Sequence, residues 1–269
     1  MLGSTYGLGR NLVLESPRRS AAAVVDSLAI ADQPPGPLQP PSSTQVLGSQ
    51  PRLPRDDADY SPRPETSTTQ GPPGPQRTTG TSDVALTFDD GPNPDYTPQV
   101  LAILREYHVT ATFCVVGQNA EAYPWLIQQI VAEGHTLCNH SWDHDMALGS
   151  RSPARIHSDL LRTNTAIQAA VPDAPIAWYR QPGGQWTRSV MAVAENLGMA
   201  SLHWTVDPSD WRTPGADRIT TRVLHDVQPG SIVLLHDAGG SRQGTVDALR
   251  RVLPDLTSRF HVNALPSAN

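Results

Sequence analysis

Two adjacent acids, Asp89 and Asp90, follow the apolar run Val84-Ala85-Leu86 and precede Gly91-Pro92-Asn93-Pro94. The run reads as a β-strand that delivers both acids to a turn. Neighbours on a strand point to opposite faces, but a chain leaving a strand is released from that rule. Both carboxylates can then reach one cleft and divide the work, one holding a metal and one moving a proton. An ordinary polar turn also uses Asp and Gly, so the reading depends on what the other strand ends carry.

They carry more of the same chemistry. His140-Ser141-Trp142-Asp143-His144 follows the strand candidate His135–Asn139. Two imidazoles four residues apart can share a divalent ion, and with one carboxylate they leave a coordination position for water. Arg180, in Tyr179-Arg180-Gln181-Pro182-Gly183-Gly184, ends another strand candidate. A guanidinium there can orient a carboxylate and hold it ionised. Asp207-Pro208-Ser209-Asp210-Trp211 and Leu234-Leu235-His236-Asp237 close two more. A buried apolar strand releasing a histidine at its tip suits a general acid. Each stretch alone has a bland reading as a surface turn or a satisfied core histidine. A shared cleft explains why five separate strand ends carry such groups.

The elements that must position these residues alternate from Ser82 onward. Strand candidates are Val84–Phe88, Ala111–Val116, His135–Asn139, Ile176–Arg180, Ala200–Val206 and Ser231–His236. Helix patterns lie between them. Pro98–Tyr107 and Trp125–Glu133 are two. A third opens at Ser152-Pro153, with Ile156, Leu160, Leu161 and Ile167 on one side. A fourth, Val190–Leu197, is capped by Thr187, and two more carry Ile219, Val223 and Leu224, then Val246, Leu249, Val252 and Leu253. Repeated β-α units imply an α/β fold with a parallel sheet, here a small barrel whose active residues collect at the C-terminal strand ends.

Composition narrows the field. The chain has 269 residues and a formal net charge of -6, which gives no reason to expect nucleic acid or an anionic membrane as partner. All 20 basic residues are arginines, which excludes Schiff-base lysine chemistry and a phosphate-loop lysine. No apolar run reaches the roughly 18 residues of a membrane helix. Half of the 26 prolines fall in residues 1–80, whose only aromatics are Tyr6 and Tyr60. That segment is expected to be a disordered leader, with a polyproline-like linker from Gln33 to Gly80. Arg18-Arg19, the apolar stretch after it and an Ala-x-Ala ending resemble a secretory signal, although Asp26 interrupts the stretch. Cys114 and Cys138 lie in consecutive strand candidates; export would allow a disulfide between them, and otherwise both are small core residues. His108, His157, His225 and His261 read as surface residues and His203 as structural, while Asp95 and Asp237 sit close enough to the motifs to support them.

Taken in order, TFDDG, HSWDH, DPSDW and LLH resemble the motifs of the polysaccharide deacetylase family, the carbohydrate esterases that share the NodB homology domain. The resemblance covers about residues 82 to 262. It implies a distorted (β/α)7 TIM-like barrel, a catalytic domain over 81–265, and a monomer. It also implies roles. Asp90, His140 and His144 hold a divalent metal, usually zinc, with cobalt or nickel as alternatives. Asp89 is the general base and Arg180 pairs with it. His236 is the general acid and Asp207 orients it or adjusts its pKa. Gly183 donates its N–H to the oxyanion, Leu234 lines the acetyl-methyl pocket and Trp211 forms part of the groove wall. The implied substrate is an N- or O-acetylated polysaccharide such as peptidoglycan, chitin oligomers or acetylxylan, outside the cell or at its wall. One position departs from the pattern: family members often carry Phe or Tyr where this chain has Gly183, and Trp186 is the candidate replacement for the missing ring.

Two other functions fit parts of the pattern. One is a metal-dependent hydrolase of a small non-sugar amide on the same barrel. The other is a carbohydrate-binding protein without catalysis, whose signature would be a missing ligand or base; this chain keeps Asp89, Asp90, His140, His144 and His236.

Overall fold

The computed structural model describes residues 74–267, so the expected leader, signal-like element and most of the linker lie outside the described residues. Six strands form one parallel sheet: β1 Ala85–Asp89, β2 Thr112–Val115, β3 Thr136–Asn139, β4 Ile176–Tyr179, β5 Ala200–Ser201 and β6 Ile232–His236, in the order β5-β4-β3-β2-β1-β6. The α/β barrel architecture is as expected, in a curled six-stranded form. The predicted strand Ala200–Val206 shrinks to two residues because its hydrogen bonds are shared among three partners. Ala200 and Ser201 pair with β4, Leu202 bridges Gln76, and Val206 bridges Val233 on β6. The Thr205 and Val206 N–H groups donate to the Ile232 carbonyl at 3.0 and 3.1 Å, so this one stretch runs from one sheet edge to the other. Gln76 also shows that the folded region begins before residue 81, within the stretch expected to be linker: its N–H donates to Ser201 O at 2.8 Å.

The helices are α1 Thr97–Glu106, α2 Gly117–Ala122, α3 Pro124–Ala132, α4 Pro153–Ala170, α5 Arg188–Asn196, α6 Ala216–Asp226 and α7 Gln243–Arg259. Two of the helix starts follow local chemistry the sequence announces. Ser152 and Thr187 accept hydrogen bonds from Arg155 N and Val190 N and so cap α4 and α5. α2 was not expected; its six residues carry no apolar periodicity, and it is seated by Gly117, where a Cβ would lie 2.5 Å from the Trp142 ring. On α4 Leu161 faces solvent and Asp159 is buried in its stead, because Asp159 has a partner in the loop above.

Strand alternation divides the core. Leu86, Phe88, Val233 and Leu235 pack under the helices. Ala85, Cys114, Cys138 and Ile232 face the other way and share the barrel interior with Trp178, Leu202 and Leu265. Cys114 and Cys138, register partners on β2 and β3, are joined in a disulfide there. The C-terminal tail closes the end where the strands begin: Leu265 N–H donates to Thr112 Oγ1 at 3.0 Å, and Trp178 Nε1 donates to Pro266 O at 2.8 Å. The opposite end, where the strands finish, is left to the functional side chains.

His135, just before β3, is buried, and its Nδ1 accepts the Ala111 N–H at 3.1 Å. Burial lowers its pKa to about 4 from an ordinary 6.5. A neutral ring in the fold contributes stability that is complete above pH 6.5 and lost as pH falls toward 4, where the unfolded chain binds the proton first. Asn at this position keeps an acceptor and cannot titrate. Wild type is therefore expected to lose about 3 kcal/mol relative to His135→Asn between those pH values, measured by denaturant unfolding.

Candidate active site

Strand register brings the chemistry together. Asp89 pairs with His236 across β1 and β6, and with Cys114 across β1 and β2; Asn139 pairs with Tyr179 across β3 and β4. The strands therefore end level, and the residues at and just beyond their tips share one rim.

Asp89 ends β1 on the inward column below which Thr87 and Ala85 lie. The next residue breaks from the strand: Asp90 has φ 75, and its carbonyl is held by Asn119 Nδ2 at 2.8 Å. That left-handed step brings both acids to the same cleft. Gly91 follows against Asp237, whose carboxylate would lie 2.4 Å from any Cβ there. Asp237 accepts from Thr97 Oγ1 at 2.5 Å, and its other oxygen is buried without a hydrogen-bond partner. Burial pushes its pKa up to about 7, with the charges of Asp90 and Asp89 adding to the effect and the Thr97 hydrogen bond opposing it. Asp237 thus supports the turn that carries the paired acids, while Asp95 is exposed.

The loop after β3 is tied at each step. Ser141 N–H donates to Asn139 Oδ1 at 2.9 Å and Trp142 N–H to Asp159 Oδ1 at 2.8 Å. Asn139 itself donates to Leu160 O and Asn164 Oδ1 on α4. Ser141 and His144 take positive φ values of 66 and 60, which curl the loop so that both rings face Asp90. His140 Nε2 lies 3.5 Å and His144 Nε2 3.2 Å from Asp90 Oδ1.

Three features of this cluster fit a divalent cation. Asp90 Oδ1 is buried and has no hydrogen-bond partner, which in a native site calls for an explanation such as an ion. His140 Nδ1 sits 2.8 Å from the Arg180 carbonyl, which fixes that nitrogen as the donor and turns the Nε2 lone pair toward the cluster. The potential ligand atoms of Asp90, His140 and His144 all lie within 4.8 Å of one another. Burial raises the Asp90 pKa, but His140, His236 and His144 outweigh it and hold the carboxyl at about 2. Burial lowers that of His144, with His140 adding to the effect. A carboxylate with a neutral imidazole is the protonation state that metal binding needs.

Arg180 is fully buried just past β4. Its Nη1 donates to Asp89 Oδ1 at 2.7 Å and to Thr87 Oγ1 at 2.8 Å; Nη2 donates to His203 O at 3.0 Å. One arginine thus fixes the base candidate through its side chain and a ligand candidate through its carbonyl. Asp89 Oδ2 remains open toward His140 Nε2, 3.7 Å away.

On the far side His236 is held by Asp210, not by Asp207. Asp210 accepts from His236 Nδ1 at 2.7 Å, from His236 N at 2.9 Å and from Thr245 Oγ1 at 2.8 Å. Asp207 instead accepts the Ser209 N–H at 2.7 Å, a local turn contact. Ser209 and Thr213, with φ 56 and 53, bracket the one-turn 3₁₀ helix Asp210–Arg212 and swing Asp210 inward. The second acid of the DPSDW stretch was present in the sequence; which acid turns inward depends on those two left-handed residues. Burial opposes protonation of His236, but the Asp210 hydrogen bond and charge, with Asp89 and Asp90, carry its pKa up to about 9.

Leu234 lies on the inward column below His236 and is buried. Trp211 is 45% exposed beside Asp210, with the Arg212 guanidinium 4.4 Å from its ring centroid. Gly183 has φ 62 in the turn after Arg180. The nearest side chain to Gly183 is Met146 and not Trp186, which packs edge-on against Tyr179 at 5.8 Å within the apolar cluster of Leu148, Ile156 and Val190.

Raised above the unfolded value of 6.5, the His236–Asp210 pair contributes stability that is complete below pH 6.5 and lost as pH rises through about 9. A proton donor at this position would lose activity over the same alkaline range. Asp210→Asn is expected to move the alkaline limb of kcat/KM acidward by at least one pH unit; an unmoved limb would separate His236 from that limb.

Comparison with known proteins matches the Polysaccharide deacetylase family model over residues 76–202. The chain is 44% identical over 199 residues to a chitooligosaccharide deacetylase from Bradyrhizobium sp., covering 70% of this chain and 90% of that one. A solved peptidoglycan N-acetylglucosamine deacetylase is 33% identical, with a TM-score of 0.66 over 73% of this chain and 90% of its own. A family pseudoenzyme from Bacillus anthracis is 28% identical, again with a TM-score of 0.66, over 72% of this chain and 68% of its own. With strand-end acids, imidazoles and arginine disposed as described and relatives of this closeness, the chain belongs to the polysaccharide deacetylase family.

Proposed function

We propose that this protein hydrolyses the acetamide of N-acetylglucosamine residues in a β-linked glycan, using a divalent cation, zinc first, held by Asp90, His140 and His144. The observation that carries this reading is the buried Asp90 oxygen without a hydrogen bond, faced by two imidazole Nε2 atoms. The names of the relatives favour N-acetyl over O-acetyl substrates. The presence of a pseudoenzyme among the relatives makes catalysis a matter for this chain's own residues, and this chain carries Asp89, Asp90, His140, His144 and His236.

Each residue then has a task. A cation bound at the three ligands supplies Lewis-acid polarisation of the acyl oxygen and makes water a stronger acid. Asp89 accepts the proton of the attacking water on Oδ2, while Arg180 holds Oδ1 still. The Gly183 N–H would donate to the developing oxyanion, a kind of contact worth about 3–4 kcal/mol per donor in a known serine hydrolase. His236 delivers its Nε2 proton to the leaving nitrogen, with Nδ1 fixed on Asp210. Water is consumed, and acetate and a free amine leave. Export to the cell wall or medium is part of the proposal; the Cys114–Cys138 disulfide supports an oxidising compartment.

Acetate release from an N-acetylglucosamine tetramer, peptidoglycan and acetylxylan tests the reading. Acetate with equimolar new amine from the first two is the expected result. Acetate from acetylxylan alone would redirect the proposal to esters, and none from any glycan would favour a binding role.

A further inference from the structure

Gly183 lacks a side chain at the rim, and another residue stands in its place. A Cβ at Gly183 would lie 2.7 Å from Met146 Cε, with the next neighbour, Gln185, at 3.8 Å. The Met146 side chain therefore rests on the Gly183 backbone. It also exposes 46% of its surface, although the other described methionines are buried or half-buried. A single exposed hydrophobic residue is ordinary. What sets Met146 apart is the construction beneath it. Gln181, fully buried, donates from Nε2 to the Met146 and Asp145 carbonyls at 3.3 and 3.5 Å, and its Oε1 accepts from Tyr179 Oη. Asp145 closes the turn by accepting the Ala147 N–H at 2.8 Å. The main chain of Met146 is thus clamped by the segment that carries Arg180 and Gly183, two residues past His144, while nearly half of the residue's surface stays open to solvent.

We propose that Met146 is the apolar edge of the glycan groove, packing against the C–H face of the N-acetylhexosamine ring whose acetamide enters the site, and so setting affinity for the sugar. The inference rests on the deacetylase reading above. An unbranched, polarisable thioether adapts its shape to a pyranose face, which a rigid ring cannot do. The contact exists equally in the bound and reacting states, so it acts on KM rather than on kcat.

Two measurements test it. In the wild-type background, Met146→Ala is expected to raise KM for an N-acetylglucosamine tetramer about tenfold, with kcat within about threefold and metal content unchanged; Met146→Leu restores KM. An unchanged KM in Met146→Ala, with activity intact, overturns the contact and leaves the deacetylase reading standing. The second measurement needs no turnover. Asp89→Asn protein carrying 13C-methyl methionine is titrated with the same tetramer, and the Met146 methyl resonance is assigned by its absence in the Met146→Leu protein. Movement of that resonance, with those of Met191 and Met199 still, supports the proposal. Saturation of a Trp211 indole signal without movement at Met146 overturns the contact alone. No movement anywhere at millimolar tetramer overturns the contact and the glycan reading together.

Discussion

Asp89→Asn is expected to lower kcat by about 10³-fold, a loss of about 4 kcal/mol of transition-state stabilisation, with KM changed little. Asparagine keeps the shape of the side chain and one acceptor for the Arg180 Nη1 contact. What it removes is the basic oxygen that faces His140 of the Asp90–His140–His144 cluster. The metal should stay, because Asp90, His140 and His144 are untouched. A second effect accompanies the first: Arg180 is fully buried and its ion pair is with Asp89. Loss of that charge leaves the guanidinium on neutral acceptors only, Thr87, Leu202 and His203, and unpaired buried charge is costly. The unfolding midpoint should therefore fall, and kinetics belong at a temperature where circular dichroism shows the variant folded. A folded variant with wild-type kcat would remove Asp89 from the role of base.

His140→Ala is expected to abolish turnover, by at least about 10³-fold, together with metal binding. His140 is the better-buried of the two imidazoles and the one whose tautomer the Arg180 carbonyl fixes. Its removal deletes a ligand and frees that carbonyl. His144, more exposed and on a left-handed residue, should be the weaker of the two; His144→Ala is expected to retain some metal at high concentration. Metal content of dialysed protein checks both. Undiminished metal in His140→Ala would count against the ligand set.

Residue types and spacing carry the site surprisingly far, and they stop at definable points. Asp89, Asp90, His140, Arg180 and His236 were readable because each stands at the end of an apolar strand, and strands that run parallel bring their ends to one rim. The helix faces were readable from periodicity, down to Val246, Leu249, Val252 and Leu253 on α7. The partner of His236 is Asp210 and not the expected Asp207, because an inward turn depends on backbone dihedrals at Ser209 and Thr213, which side-chain chemistry does not announce. The short β5 reflects hydrogen bonds to Gln76, β4 and β6 at once, a tertiary competition absent from any local window. Asn139, Asp159 and Gln181 read as common polar residues in the sequence; only their contacts show that they hold the loop carrying His140 and His144. Met146 gave no signal because its meaning lies in Gly183, a distant position in the chain.

The most direct measurement is a metal titration of activity. Protein stripped with a chelator and dialysed is assayed for acetate release from an N-acetylglucosamine tetramer while zinc is added back. The expected result is background release from the stripped protein and a linear recovery that ends at about one ion per chain, absent in His140→Ala. Full acetate release from demonstrably metal-free wild type would contradict the assignment of Asp90, His140 and His144.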